Sequence, residues 1–270
     1  MDQSVAASLG LRPETIAAIE AVETALEIAA RGVSADAVTS KGNRDLVTSA
    51  DIEAEDAIRQ RLGSLGYPVV GEERGGSPPA DGSPYWLLDP ICGTTNFAAG
   101  LPFYAVNLAL AEQGRLTVSA VGDPSHGEIC VAQAGRGAWA IKGDKSRQLT
   151  VKDGGLVVLD DVKALDPRRP HLAALMAAAI SLDRWDFRTL STTLGMAYLA
   201  SGRVNAYVAL RAGPVHGAAG TLLAQEAGAT VTDIAGQPWT VETDSLVAAS
   251  TPVLHAEVLA LVGASKPVER

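Results

Sequence analysis

Between residues 13 and 31, apolar side chains recur three or four positions apart (Ile16, Ile19, Val22, Leu26), and the run stops at Gly32. That spacing predicts an amphipathic helix with glycine just past its end. A second helix is expected from Thr48 or Ser49, either of which can cap it, to the neighbourhood of Gly66. Tyr67–Val70 reads as a short strand ahead of Gly71-Glu72-Glu73, and the Gly, Pro and Ser residues of 74–84 as a loop. Apolar residues from Tyr85 then run straight into Asp89-Pro90. This predicts a buried strand ending on a carboxylate, because proline has no N–H to continue sheet pairing. Gly93-Thr-Thr-Asn96 suits the first turn of a short helix, where unpaired N–H groups and the helix dipole favour an anion such as phosphate.

Residues 103–142 alternate (Val106, Leu108, Leu110), with turns at Gly114-Arg115 and Gly122-Asp-Pro124, and predict antiparallel strands. Cys130 falls in one of them and reads as a small core hydrophobe. From about Val157 the rhythm changes. Strands are expected at 156–159, 185–189, 205–210 and 229–232, and helices at 171–180, 194–200 and 217–227, with Gly202 and Gly228 as caps. Such βα alternation argues for a sheet covered by helices on both faces. The class is α/β (α+β), with an N-terminal half over 1–150 and a C-terminal half over 151–270. Residues from Ala264 read as a loose tail, and no internal repeat or low-complexity stretch interrupts the chain.

A chain of 270 residues with 47% apolar and 20% charged residues suffices for an ordered globular core. The net charge of −9 argues against nucleic acid as a partner, since binding it needs clustered Lys and Arg. An acidic protein that handles phosphate needs a metal ion or local N–H groups to offset repulsion. Two cysteines, Cys92 and Cys130, make no disulfide framework. With no signal-like N-terminus and no apolar run long enough to span a bilayer, the expectation is a reduced, cytoplasmic protein without membrane association, its Cys92 thiol free.

The word Asp89-Pro-Ile-Cys-Gly-Thr-Thr-Asn-Phe97 resembles the Asp-Pro-Ile-Asp-Gly-Thr-Thr-Asn-Phe signature of the inositol monophosphatase family, magnesium-dependent phosphomonoesterases. The resemblance implies a layered αβαβα sandwich like that of fructose-1,6-bisphosphatase. Only Cys92 departs, standing where the family has a metal-binding Asp. The run from Lys41 to Asp51 resembles the family's Lys-Gly-x-x-Asp-Leu-Val-Thr-x-x-Asp, whose last Asp helps orient the attacking water. Read alone, Asp51 is a first-turn acid favoured by the helix dipole. Glu72 matches a family metal ligand, although two adjacent acids before a loop also suit a solvated rim. The segments 122–128 and 135–138 resemble the family too, with His126 an exposed bystander in a turn. A last word, Val215-His216-Gly-Ala-Ala-Gly220 followed by Glu226-Ala-Gly228, resembles Trp-Asp-x-Ala-Ala-Gly…Glu-Ala-Gly, with Val215 for Trp and His216 for Asp. In the family that Asp and the one aligned with Cys92 hold the same second metal. Both replacements therefore fall in one coordination shell, and a coupled change of chemistry is the economical reading.

By this resemblance Glu72, Asp89 and the Ile91 carbonyl hold Mg²⁺, oxygen donors being what that ion requires. Thr94 and Asp51 position the water, and the N–H groups of Gly93, Thr94 and Thr95 hold the phosphate. Asp89, Cys92 and His216 could rebuild the second site for a softer Zn²⁺ or Mn²⁺. Three functions stay open. The first is a phosphomonoesterase for a small sugar, inositol or related phosphate. In the second, Cys92 and His216 act as nucleophile and base for acyl transfer, hydrolysis or cyclisation, since a helix N-terminus and an imidazole both lower a thiol pKa. The third is a non-catalytic relative that binds a ligand. Ala209 stands where some family members place an acid against inositol, while nearby Arg211 suits an extra phosphate or carboxylate. Family members commonly form dimers, so a homodimer is a further expectation.

Overall fold

The computed structural model describes residues 3–32, 38–42, 45–163 and 165–266. Helices α1 (Gln3–Leu9) and α2 (Pro13–Gly32) come first, then a hairpin of β1 (Val38–Gly42) and β2 (Asp45–Thr48) and helix α3 (Ser49–Leu62). Thr48 caps α3 through a reciprocal pair with Asp51, the third helical residue: the Thr48 hydroxyl takes the Asp51 N–H and the Asp51 carboxylate takes the Thr48 N–H. A single 3₁₀ turn then ends at Gly66.

Seven strands follow: β3 (Val69–Gly71), β4 (Tyr85–Cys92), β5 (Ala105–Glu112), β6 (Arg115–Asp123), β7 (Glu128–Gln133), β8 (Gly137–Lys142) and β9 (Lys145–Gln148), with the short helix α4 (Thr94–Ala98) between β4 and β5. They form one sheet in chain order, antiparallel throughout except for the parallel pair β3–β4. The remaining chain alternates β10 (Leu156–Leu159), α5 (Arg169–Leu182), β11 (Asp186–Arg188), α6 (Leu194–Ala200), β12 (Ala206–Ala209), α7 (Pro214–Glu226), β13 (Thr230–Thr232), β14 (Leu246–Ala249) and α8 (Pro252–Ala264). Its sheet runs β11-β10-β12-β14-β13, parallel through β12 and antiparallel beyond it.

Strand periodicity sorts the side chains into layers. Trp86, Leu88, Leu108 and Leu110 face one way and bury against Ile19, Val22 and Ile58 of α2 and α3. Leu87, Ala109, Val121 and Cys130 face the other way, onto Met196, Leu199, Ala218 and Leu222 of α6 and α7. The same core cluster reaches Tyr207, Ala209 and Leu246 of the second sheet. Helices α5 and α8 close the stack, with Leu175, Val258 and Val262 over Val157, Val208 and Val247. The result is the expected αβαβα sandwich. The strands change sheet between β9 and β10, yet one core holds both sheets to α6 and α7. Among the described residues no helix is long and apolar enough to cross a membrane.

Two expectations need correction. Strand β4 does not end at Asp89: it continues through Pro90 to Cys92, and its register against β5 shifts between Asp89 and Cys92. A bulge is where a sheet tolerates proline, because no ladder hydrogen bond is asked of it there. Ala264 closes α8 rather than opening a tail, and residues 267–270 lie outside the described residues.

Candidate active site

The β4 bulge, the start of α4, the end of β10 and the N-terminal ends of α6 and α7 meet around a cleft of about 350 Å³. Its wall carries Glu72, Asp89, Ile91, Cys92, Gly93, Thr94, Thr95, Arg211 and His216. Asp51, the other residue expected from sequence, reaches this group through Thr94.

The α3 cap fixes Asp51. Its Oδ2 accepts the Thr48 N–H at 2.8 Å and the Thr48 hydroxyl at 2.5 Å, while Oδ1 lies 3.3 Å from the Thr94 hydroxyl. That hydroxyl is also 3.1 Å from the Ile91 carbonyl. A hydroxyl has one hydrogen, so Thr94 divides it between a carboxylate and a carbonyl. Burial pushes the Asp51 carboxyl up to about 6, against the pull of the Thr48 hydrogen bonds and with small additions from Glu73 and Asp89. A carboxylate at that value can take up and release a proton near neutrality.

Glu72 leaves the end of β3 on a loop that a buried acid holds in place. Glu55 on α3 accepts the N–H groups of Glu73 at 2.8 Å and Arg74 at 3.0 Å, and pairs with Arg59 at 2.7 Å. A Cβ at Gly71 would lie 2.2 Å from Glu55 Oε1, so a larger residue there would push this carboxylate away from the loop it holds.

The two departures from the family signature come together. In a regular strand, residues three apart face opposite sides of the sheet. The bulge after Asp89 removes that constraint, and both Asp89 and Cys92 line the cleft. His216 enters from the first turn of α7, behind Pro214 at its start. Its Nδ1 lies 2.6 Å from Asp89 Oδ2 and 3.9 Å from Glu72 Oε2. Ligand atoms of Asp89, Cys92 and His216 all fall within 4.8 Å of one another. Burial by itself lowers the imidazole pKa, but the Asp89 carboxylate outweighs it and raises the value well above normal. The Cys92 thiol is pushed up, first by burial and then by Asp89. Its sulfur accepts hydrogen bonds from the Thr193 N–H at 3.3 Å and the Thr193 hydroxyl at 3.0 Å. Gly93, which follows, takes φ 101°, and a Cβ there would meet Phe103 O and Thr192 Cβ at 3.0 Å. Both demands leave only glycine between bulge and helix.

Asp89 Oδ1 is buried and has no hydrogen-bond partner among the described residues. An orphaned carboxylate oxygen in a cleft also lined by Glu72 and Ile91 suits a bound cation. A second cluster, Asp123, His126 and Glu128, is of another kind. Glu128 is neutralised by Arg203 at 2.7 Å and Arg147 at 3.1 Å, and Asp123 is occupied by Ser125 and His126. His126 itself is exposed, as expected.

Several cleft residues escape the sequence reading. Asp160, at the end of β10, accepts the Tyr207 hydroxyl at 2.7 Å and the Thr192 N–H at 3.2 Å, and burial pushes its carboxyl up to about 6. Its signal was available: Leu156–Leu159 runs into an acid as β4 runs into Asp89. Thr193 and Asn107 carry no such signal. Arg211 stays exposed at the lip, 2.8 Å from Asp166, beside Lys163 and Arg169.

Fold and cleft define an αβαβα sandwich of the inositol monophosphatase type. The Inositol monophosphatase family matches residues 11–266, and the chain belongs to that family. It is 36% identical over 217 residues to the Nus factor SuhB of Vibrio cholerae, covering 78% of this chain and 80% of that protein. An inositol-1-monophosphatase of Mesorhizobium japonicum is 32% identical over 233 residues, covering 81% and 84%. Among solved structures, the IMPase of Thermotoga maritima shares the fold with a TM-score of 0.81 at 24% identity, covering 92% of this chain and 95% of that one.

Proposed function

We propose that this protein is a metal-dependent phosphomonoesterase for a small sugar, inositol or related phosphate, with an altered second metal site. The observation that carries the reading is the run from Asp51 through the Thr94 hydroxyl to the Ile91 carbonyl, beside a buried Asp89 oxygen that lacks a partner. Glu72, Asp89 and the Ile91 carbonyl would hold Mg²⁺, which when bound polarises the phosphate and acidifies water. The Thr94 hydroxyl orients the attacking water, and Asp51, poised near 6, accepts a proton through that hydroxyl. The N–H groups of Gly93, Thr94 and Thr95 at the start of α4 receive phosphate oxygens. Beyond the phosphate, the buried Ala209 offers no acid for sugar hydroxyls, while Arg211 at the lip suits a further anionic group. Asp89, Cys92 and His216 present a mixed oxygen, sulfur and nitrogen set, suited to Zn²⁺ or Mn²⁺ rather than a second Mg²⁺. The partner in this reading is a small molecule and not nucleic acid or membrane; a homodimer carries over from the family, and the cytoplasmic expectation from the sequence is kept.

A second reading makes Cys92 a nucleophile and His216 its base. The closeness of sulfur and imidazole favours it. Against it, a reactive thiol needs a lowered pKa and open access. Burial raises this one, and Cys92 is only 8% exposed. The geometry supports a ligand better than a nucleophile. The test is inorganic phosphate release from inositol 1-phosphate and a panel of sugar phosphates. Turnover that needs a divalent ion is expected, and no release with Mg²⁺, Mn²⁺ or Zn²⁺ would leave the non-catalytic relative.

A further inference from the structure

We propose that Asp89, Cys92 and His216 form a site for a single thiophilic cation of the Zn²⁺ class, and that Thr193, backed by Asn107, positions the sulfur for it. The proposal deepens the metal-dependent reading of the cleft and rests on it, but its test measures cation binding and needs no turnover.

The donor set is built from separate parts of the chain. Asp89 and Cys92 come from the β4 bulge, His216 from the first turn of α7, and Thr193 from the start of α6. The three ligand atoms sit within 4.8 Å of one another. A tetrahedral Zn²⁺ with bonds of 2.0–2.3 Å holds its donors roughly 3.3–3.8 Å apart. The set therefore needs only small side-chain shifts, chiefly an opening of the 2.6 Å contact between His216 and Asp89 as a cation replaces the proton between them. Asp89 Oδ1, buried on the cleft wall and unpartnered among the described residues, leaves this carboxylate with an oxygen that no protein donor uses.

Polarity around the sulfur decides which cation fits. The Thr193 backbone N–H can only donate, and it points at Cys92 Sγ from 3.3 Å. The Thr193 hydroxyl adds a second contact at 3.0 Å. Asn107 Nδ2 donates to that hydroxyl oxygen from 2.7 Å, so the hydroxyl hydrogen is turned toward the sulfur. Two donors on a thiolate leave one of its three lone pairs for a cation shared with the nearby Asp89 and His216. A sulfur held in this way is an acceptor and a ligand, as outer partners of metal ligands commonly arrange. Thiolate with imidazole selects Zn²⁺, Co²⁺ or Cd²⁺ over Mg²⁺, which asks for near-octahedral oxygen. With three protein donors, one position stays open to the cleft, the pattern of a catalytic rather than a structural zinc site.

The experiment is a Co²⁺ titration of the full chain after treatment with chelator, followed by absorbance. A near-ultraviolet sulfur-to-cobalt charge-transfer band with visible tetrahedral bands is expected, removed by stoichiometric Zn²⁺ and kept in excess Mg²⁺. Cys92→Ser should lose the charge-transfer band. Thr193→Val should weaken Co²⁺ affinity roughly tenfold, the usual loss for an outer partner. Thr193→Ser, which keeps both donors, should restore it, and thermal melting in chelator reports whether each variant folds. A Co²⁺ spectrum without a sulfur band, a Cys92→Ser spectrum like that of the parent, or displacement by Mg²⁺ at equal concentration would overturn the proposal. Phosphate release with Mg²⁺ alone would still stand in those cases, so the two readings fail separately.

Discussion

Replacing Asp51 with Asn should stabilise the metal-free protein while removing its activity, and the stabilisation should depend on pH. In the fold, burial holds the Asp51 carboxyl near 6, against a reference of 3.8. Between those values the folded state binds more protons than the unfolded one, so stability falls as pH rises through this window. About two pKa units at 1.36 kcal/mol each give a penalty of about 3 kcal/mol once Asp51 is ionised. Asn should fit the same place. Its Oδ1 can accept the Thr48 N–H and hydroxyl, and its Nδ2 can donate to Thr94, whose hydroxyl then turns to the Ile91 carbonyl. We expect Asp51→Asn to gain roughly 1–3 kcal/mol over wild type at pH 7.5 and nothing below pH 4. The assay is urea denaturation in chelator across pH 4–8, with wild type and variant compared at each pH. Asp160, which titrates in the same range, is common to both proteins and cancels. Loss of a proton acceptor should lower kcat by about 10²–10⁴. A gain that does not change with pH, or a variant less stable at pH 7.5, would refute the assignment of a strained ionised carboxylate to Asp51.

Other outcomes follow from the same contacts. Glu55→Ala leaves Arg59 without its carboxylate and two loop N–H groups without an acceptor, and should cost about 3–5 kcal/mol by urea denaturation. It should also weaken Mg²⁺ binding through Glu72. Asp89 raises the His216 pKa, so the stability this pair contributes is present below pH 6.5 and lost as pH climbs through the raised value. A cation must displace that proton, so affinity should rise with pH, and calorimetry in buffers of different ionisation enthalpy should record proton release. Both cysteines are buried, and neither should react readily with iodoacetamide in the native protein. Selective labelling of Cys92 near pH 7 would instead favour the nucleophile reading.

Much of this architecture could be read before any coordinates. The 3.6-residue spacing of α2, the Thr48 cap and the βα rhythm after Val157 are local signals, and local signals survive without tertiary context. Pro90 misleads because a bulge depends on the register of β5, which the strand's own sequence does not carry. Glu55 looks like a helix-surface acid, since only the folded loop 72–74 buries it. Thr193 meets the sulfur, and Asn107 of β5 backs Thr193, through hydrogen bonds that span 101 and 86 residues of sequence, which no periodicity announces. Asp160 differs, because an apolar strand running into an acid is the pattern that marked Asp89. The meeting of Cys92 and His216 came from resemblance alone, through two departures from one coordination shell, and the β4 bulge and the α7 start bring their donor atoms within 4.8 Å.

The most direct measurement is the initial rate of inorganic phosphate release from inositol 1-phosphate and sugar phosphates, recorded in chelator, in Mg²⁺, and in Mg²⁺ with added Zn²⁺. Asp89→Asn and Asp51→Asn are run beside the wild type. Release that requires a divalent ion and falls at least a hundredfold in both variants is the predicted result. Equal rates in chelator and in Mg²⁺, or full activity without the Asp89 carboxylate, would contradict it.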